Sequence, residues 1–154
     1  MTKLKENYLS LTGYRLPTEA EIEYATRAGA LTSRYYGETD EPLLAKYGWC
    51  QKNSGQRTWP VGSKKPNDLG FFDLHGNVCT WCQERYKPYP KSNNDQVIED
   101  KEDDLELIRT DYRVLRGGSF LTPAPLVRCA LRVKLLPTPP VIDVGIRPAR
   151  TFAP

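Results

Sequence analysis

A pair of consecutive glycines in residues 116–119 (Arg-Gly-Gly-Ser) places the strongest constraint on how this chain can fold. Glycine adopts positive φ at little cost, so the pair predicts a sharp kink in the backbone. Residues 112–115 and Phe120 are interpreted as strand on either side of that kink. The kink therefore belongs to a rigid frame, and it immediately precedes a segment of unusual composition.

That segment, residues 121–143, has apolar side chains that follow neither a helical nor a strand period. Such a segment is either an irregular part of the core or a displayed surface. If it is displayed, the candidate ligand-binding residues are Leu121, Thr122, Pro123, Leu126, Leu131, Val133, Leu135, Leu136, Pro139, Pro140, Val141, Ile142 and Asp143. An exposed apolar patch rimmed by arginine is typical of a protein-binding site. The alternative is that half of the nine candidates between Leu131 and Asp143 are ordinary core. Val144 and Ile146, which flank Gly145, are assigned to the core.

Length and composition indicate one folded domain with little regular structure. A chain of 154 residues suits a single core, and its 13 Pro and 11 Gly predict many loops. The net charge of +3 gives no case for nucleic-acid binding. No apolar stretch is long enough to span a membrane, and the first residues lack the apolar stretch of a signal peptide. A cytoplasmic location is the default expectation, and the oligomeric state is left open.

Local patterns predict a few elements. Thr18 and Glu21 form a capping box at the start of a helix that runs to Ala28 and is ended by Gly29. Leu4 to Leu11 is typical of a short helix closed by Gly13. Residues 31–73 are expected to be turns around aromatic side chains, with turn signatures at 60–62 and 66–70. Residues 74–81 are interpreted as a tight loop entering a short strand or turn, and a polar stretch covers residues 83–104.

The four cysteines and the single histidine do not form a recognisable metal or redox site. Cys79 and Cys82 have C-x-x-C spacing, but a zinc site needs a second ligand pair and Cys50 and Cys129 are isolated. We interpret the thiols as small buried apolar groups. His75 is interpreted as a surface or hydrogen-bonded residue.

Six blocks recur in order in one known family. They are residues 14–21 (Tyr-Arg-Leu-Pro-Thr-Glu-Ala-Glu), 60–63 (Pro-Val-Gly-Ser), 67–73 (Asn-Asp-Leu-Gly-Phe-Phe-Asp), 76–78 (Gly-Asn-Val), 116–119 and 145–147 (Gly-Ile-Arg). The sequence resembles the formylglycine-generating enzyme (sulfatase-modifying factor) domain family. The resemblance implies an irregular, loop-rich α+β fold of the C-type lectin-like type. Residues 1–154 are expected to form a single such domain that lacks the family's usual N-terminal portion.

The resemblance brings two catalytic activities into question. The oxidases of the family bind copper through a pair of cysteines placed shortly after the Arg-Gly-Gly-Ser block, and residues 121–127 contain no cysteine. Cys129 matches a different position of the family that looks structural. The iron-dependent sulfoxide synthases need several histidines, and this chain has one. We therefore expect no catalytic residue, with a fragment or degenerate member of the oxidase family as the alternative.

Family members also bind structural calcium near the Gly-Asn-Val block. The resemblance makes Asp73 and the backbone oxygens of Gly76 and Val78 weak calcium candidates. The family's glutamate ligand is replaced here by Thr80. Calcium prefers six to eight oxygen ligands with several charges, so no cofactor is expected beyond this possible ion.

The sequence also resembles the variable proteins of diversity-generating retroelements, which use this subclass of the fold to bind ligands. Their C-terminal segment is diversified by replacing template adenines, often in AAC codons, which limits the amino acids that result. Only Lys134 in residues 121–143 lies outside that set, whereas six residues do in the preceding window, 91–113. The resemblance assigns Arg128, Arg132, Pro137, Gly145 and Arg147 to the frame.

We therefore expect a non-catalytic protein that binds an unknown protein or surface ligand through residues 121–143. A structural domain of a larger signalling protein is a third possibility.

Overall fold

Short strands joined by long irregular loops make up the computed structural model, which describes residues 13–37, 41–89, 110–138 and 140–151. The strands are β1 (Gly13–Arg15), β2 (Cys79–Arg85), β3 (Arg113–Arg116), β4 (Arg132–Leu135), β5 (Val144–Gly145) and β6 (Ala149–Thr151). The helices are α1 (Glu19–Arg27) and α2 (Glu41–Tyr47), and a single 3-10 turn covers Ala124–Leu126. This irregular α+β architecture confirms the expected fold class.

The strands form two sheets. Four of them lie in the order β4-β3-β2-β5, with β2 antiparallel to β3, β3 antiparallel to β4, and β2 parallel to β5. The other two, β1 and β6, pair antiparallel with Tyr14 opposite Arg150. The beginning and the end of the described chain are therefore held side by side.

Helix α1 begins with the capping box that the sequence predicts. The Thr18 hydroxyl accepts from the Glu21 backbone N–H at 3.1 Å, and the Glu21 carboxylate accepts from the Thr18 N–H at 2.9 Å. Arg15 also donates to that carboxylate at 2.6 and 2.7 Å, which lowers the pKa of Glu21. The helix ends at Arg27, and Ala28 already adopts positive φ (48°), one residue before Gly29.

The glycine kink packs against the loop that precedes β2. Gly117 and Gly118 have φ of 91° and 75°, as their sequence predicts. The Gly117 carbonyl accepts from the Gly76 N–H at 2.9 Å, and a Cβ on Gly117 would lie 2.9 Å from the Leu74 carbonyl oxygen. Backbone is thus packed on backbone here, so the frame requires glycine for space as well as for conformation.

Two small clusters of buried residues lie in the core of the described part of the chain. Ile22 of α1 packs with Cys82 and Val114 on one face of the four-stranded sheet. Leu44 of α2 packs with Cys50, Ala124 and Val127. The second cluster means that residues 121–143 contribute to the core as well as to the surface.

Several local predictions were wrong. Residues 41–47 form α2 and not turns, and β2 continues to Arg85 through what was assigned to a polar stretch. Phe120 is buried in a turn and not in a strand. Gly13 lies in β1 and does not close a helix; the helix expected before it lies outside the described residues.

Candidate ligand-binding surface

The backbone of residues 121–131 is held by groups that belong to other parts of the chain. The buried guanidinium of Arg34 donates to the carbonyl oxygens of Val127 at 2.7 Å and Ala124 at 3.0 Å. The Ser33 carbonyl accepts from the Cys129 N–H at 2.8 Å. These bonds end on backbone atoms of the segment, so they do not depend on which side chains the segment carries.

The two ends of the 121–143 segment meet at one serine. Ser119 donates from its hydroxyl to the Asp143 carboxylate at 2.7 Å. The Thr122 hydroxyl accepts from the Ser119 N–H at 2.9 Å. The Asp143 carbonyl also accepts from the Cys79 N–H at 2.9 Å. Thr122 and Asp143, both predicted to bind ligand, are half-buried and hold the two ends of the segment together.

Strand β4 is fixed by charge as well as by strand pairing. Arg132 donates to both oxygens of Glu19, at 2.7 and 3.0 Å, and to the Lys87 carbonyl. Arg116, which is 1% exposed, pairs with Glu19 and Glu23 of α1 and donates to the Ala130 carbonyl. Arg132 therefore acts as the frame residue that the sequence predicts.

The other predicted ligand-binding side chains divide by exposure. Six of the thirteen are exposed: Pro123, Leu126, Val133, Pro140, Val141 and Ile142. Six more are half-buried, namely Leu121, Thr122, Leu131, Leu135, Leu136 and Asp143, and Pro139 lies outside the described residues. Ile142 is the most accessible, with 79% of its side chain exposed. None of the twelve residues that the structure places is fully buried.

The exposed residues do not all meet at one point. Val133 lies on β4, at one edge of the four-stranded sheet, whereas Ile142 and Val141 lie two and three residues before β5, the strand at the opposite edge. Neighbouring strands are about 4.8 Å apart, so three steps separate these edges by about 14 Å. The segment thus spreads its side chains across the width of the sheet.

One core assignment beside the segment was wrong, because Ile146 is 73% exposed, and Val144 is only half-buried. Arg128 and Pro137, which were assigned to the frame, are both exposed. Arg147, by contrast, donates to the Phe72 carbonyl at 2.7 Å and ties the chain end to the central loops as expected.

Sequence reasoning missed a row of tyrosines and cations on the α1 side of β4. The Arg132 guanidinium lies 4.4 Å from the ring centroids of both Tyr86 and Tyr89. The Lys134 ammonium lies 5.0 Å from the Tyr112 ring and 5.4 Å from the Tyr86 ring. Both tyrosine stretches lie far from β4 in sequence, so no local pattern predicts the row.

The four cysteines are buried free thiols, which confirms their interpretation as packing groups. Burial raises the pKa of Cys79 to about 12 and raises those of Cys82 and Cys129 as well. Thiols in such surroundings stay protonated near neutral pH and are poor nucleophiles and metal ligands. In the described ranges, no three His, Cys, Asp or Glu residues come together as a metal site.

His75 is not the surface or hydrogen-bonded residue that was expected. It is completely buried, and its ring stacks on Tyr35 with centroids 4.8 Å apart and meets Tyr36 edge-on. Neither ring nitrogen has a hydrogen-bond partner among the described residues. Burial, with the nearby charge of Arg34, lowers the pKa of His75 to about 3, so the ring is neutral at physiological pH.

The residues considered for calcium supply little charge. Asp73 accepts from the Gly62 N–H at 2.7 Å through one oxygen, and its other oxygen has no partner in the described part of the chain. Thr80, at the position of the family's glutamate, is buried in β2 opposite Arg116 and Gly145. One carboxylate oxygen does not fit an ion that prefers several charged ligands.

No helix in the described ranges combines the length and apolar character that crossing a membrane requires.

Comparison with known proteins identifies the relatives of this architecture. The model of the sulfatase-modifying factor enzyme 1-like domain matches residues 3–152. The formylglycine-generating enzyme of Streptomyces coelicolor is 35% identical over 126 residues, which cover 74% of this chain and 38% of that protein. Serine/threonine-protein kinase pkn1 of Chlamydia pneumoniae is 34% identical over 146 residues, or 94% of this chain and 22% of that protein.

The solved structure of Treponema denticola variable protein 1 superimposes with a TM-score of 0.74 and 34% identity, covering 92% of this chain and 49% of that one. The present chain spans less than half the length of each of these three proteins.

Proposed function

The chain belongs to the sulfatase-modifying factor enzyme 1-like domain family and has its C-type lectin-like fold, and from this premise we propose that it binds ligands without catalysis. In this proposal, the exposed side chains of residues 121–143 contact the ligand. Their identity varies between copies of the gene, as in the variable proteins of diversity-generating retroelements. The partner is a protein or another surface ligand.

One observation carries the proposal: the frame holds the segment mainly by its backbone, whereas six of its candidate side chains face solvent. Arg34, Ser33 and Arg116 all bind carbonyl oxygens or an N–H of the segment. Replacing Leu126 or Ile142 leaves each of these bonds in place. A surface built in this way accepts many side chains without refolding, which is what diversification requires.

Composition and structural likeness support the same function. The segment contains a single residue that adenine replacement in AAC codons cannot produce, Lys134. The likeness to Treponema denticola variable protein 1, with a TM-score of 0.74, covers 92% of the chain.

The second candidate is an oxidase fragment or a degenerate oxidase, and it is favoured by the 35% identity to the formylglycine-generating enzyme of Streptomyces coelicolor. Copper chemistry in this family needs accessible thiolates, and the four thiols here are buried. We expect no aldehyde product when the copper-loaded chain is incubated with a cysteine-containing peptide. Formation of formylglycine, detected by mass spectrometry, would establish the oxidase instead.

Sequencing the 3′ end of the gene from many cells of one population tests the proposal directly. We expect variation confined to the codons of residues 121–143, and a near-copy repeat nearby that carries adenines at the varied positions. An invariant segment without such a repeat would return the chain to the oxidase family as a fragment or a degenerate member.

A further inference from the structure

Strand β4 is an edge strand with two chemically different faces. It pairs with β3 on one side, and no described strand lies on its other side. An unpaired strand edge presents a row of N–H and C=O groups that can bind another extended chain. Val133 and Lys134 are both exposed, so solvent reaches both faces of the strand at its middle.

The strand register shows which side chains share each face. Lys134 lies opposite Val114 and Arg132 lies opposite Arg116, so both cations are on the face that packs against α1. Val133 lies opposite Leu115, and alternation places Leu135 on that same second face. One face of β4 is therefore cationic and the other is apolar.

Arg132 and Lys134 differ in whether a carboxylate of the chain compensates their charge. Arg132 is paired with Glu19. The Lys134 ammonium, in contrast, lies against the rings of Tyr112 and Tyr86, and within the described ranges no carboxylate pairs with it. A cation held between aromatic rings and open to solvent is a favourable neighbour for an incoming carboxylate.

From this arrangement we propose that β4 binds an extended protein segment in which acidic and apolar residues alternate. The segment adds to the free edge of β4 as a fifth strand of the four-stranded sheet. Its backbone bonds to the edge, its carboxylates lie beside Lys134, and its apolar side chains lie beside Val133 and Leu135. The inference rests on the proposed ligand-binding function and names the ligand class for one part of that surface.

A second copy of this chain does not suit the edge. Pairing two β4 strands antiparallel would put Lys134 and Arg132 of both copies on one face of the joined sheet. Like charges that lie opposite each other destabilise strand pairs. The occupant that the edge favours is therefore an acidic partner and not a homodimer.

Binding of labelled synthetic peptides of about eight residues, the length of an ordinary strand, tests the inference. The probe alternates glutamate and valine. One matched control alternates lysine and valine, and another is the glutamate–valine peptide N-methylated at every second amide on its bonding edge. We expect fluorescence anisotropy to show binding of the glutamate–valine peptide and not of the lysine–valine peptide. This binding should weaken as the salt concentration rises. N-methylation should weaken it about tenfold or more, because it removes backbone donors.

Two substitutions test whether the peptide binds beside Lys134 or merely responds to the overall charge of the protein. Lys134→Glu should weaken binding of the glutamate–valine peptide about tenfold and allow the lysine–valine peptide to bind, because attraction and repulsion are exchanged. Lys65→Glu changes an exposed lysine outside the sheet and should leave both affinities unchanged. Matching thermal unfolding of the variants shows that both are folded.

Absence of binding by the glutamate–valine peptide would overturn the inference. Equal binding of its N-methylated form would overturn it too, and so would a dimer of the chain that Lys134→Glu strengthens or weakens. The proposed function fails on a different result, an invariant gene segment, so the two failures can be told apart.

Discussion

The Ser119 hydroxyl donates a 2.7 Å hydrogen bond to the Asp143 carboxylate and so joins the first and last turns of the 121–143 segment. The two residues are 24 positions apart in the chain. Ser119 follows the glycine kink, and Asp143 immediately precedes β5. The segment is consequently a closed loop whose base is fixed by one charged hydrogen bond, while the frame binds the backbone of residues between 124 and 135.

Asp143→Ala is expected to lower the free energy of unfolding by about 1–3 kcal/mol, because a hydrogen bond to a charged group contributes about that much. Ile142→Ala, one residue away and mostly exposed, should change it by less than about 0.5 kcal/mol. Urea unfolding of the two variants measures the difference. Equal values would mean that Asp143 does not hold the base of the loop.

Substitutions of two glycines distinguish the cost of positive φ from the cost of a steric clash. Gly117→Ala should cost well over 2 kcal/mol, because the new Cβ meets the Leu74 carbonyl oxygen at 2.9 Å and φ is 91°. Gly29→Ala has similar φ (86°) but open space around the Cβ, so about 1 kcal/mol is expected. If urea unfolding gives the same loss for both, the backbone approach at Gly117 contributes nothing.

Features encoded by neighbouring residues were predictable from the sequence. The capping box of Thr18 and Glu21 depends on an i, i+3 pair, and the kink depends on two adjacent glycines, so both were found. Helix α2 was missed although Pro42 in its first turn, Lys46 in its last turn and Gly48 just after it are helix boundary signals. The helix is only seven residues long and lies among turn signatures, which outweighed these signals.

Exposure could be predicted only in part. Val144 and Ile146 are apolar residues on either side of Gly145, and both were assigned to the core. Strand β5 ends at Gly145, so Ile146 leaves the sheet and faces solvent. The tyrosine row beside Lys134 depends on strand pairing between distant parts of the chain, and no single-sequence pattern contains that information.

Two neighbouring residues, the last of the 3-10 turn and the one after it, differ in whether they lie at the surface or in the core. Leu126 is 47% exposed, whereas Val127 is completely buried against Leu44 and Cys50. Leu126→Ala should change the free energy of unfolding by less than about 0.5 kcal/mol, but Val127→Ala should cost about 2 kcal/mol. A large loss from Leu126→Ala, measured by urea unfolding, would place that side chain in the core and remove it from the ligand-binding set.

Calcium is expected to have little effect on stability, because Thr80 replaces the glutamate of the family's site and one oxygen of Asp73 already accepts from the Gly62 N–H. Millimolar calcium and excess chelator should give melting temperatures that agree within about 1 °C. A calcium-dependent increase of about 5 °C that Asp73→Asn abolishes would contradict this and assign a structural ion to the site.

The buried imidazole of His75 makes stability depend on pH in a direction that can be worked out. Its pKa is about 3 in the folded chain, below the ordinary value of 6.5, so the unfolded chain binds one more proton between these values. The free energy of unfolding should therefore fall as pH decreases below about 6.5, by about 1.4 kcal/mol per pH unit from this group. At pH 5 the loss from His75 is about 2 kcal/mol.

His75→Phe keeps a ring that can stack on Tyr35 but removes the titrating group, and it is the control for this pH effect. Urea unfolding of both proteins at pH 7 and pH 5 gives the free energy of unfolding that each loses on acidification. The difference between these two losses is the contribution of His75, because the carboxylates titrate alike in both proteins. We expect the variant to lose less stability than the parent by about 2 kcal/mol. Identical losses would show that the imidazole is protonated in the folded chain, which would require a hydrogen-bond acceptor for it inside the Tyr35 and Tyr36 cluster.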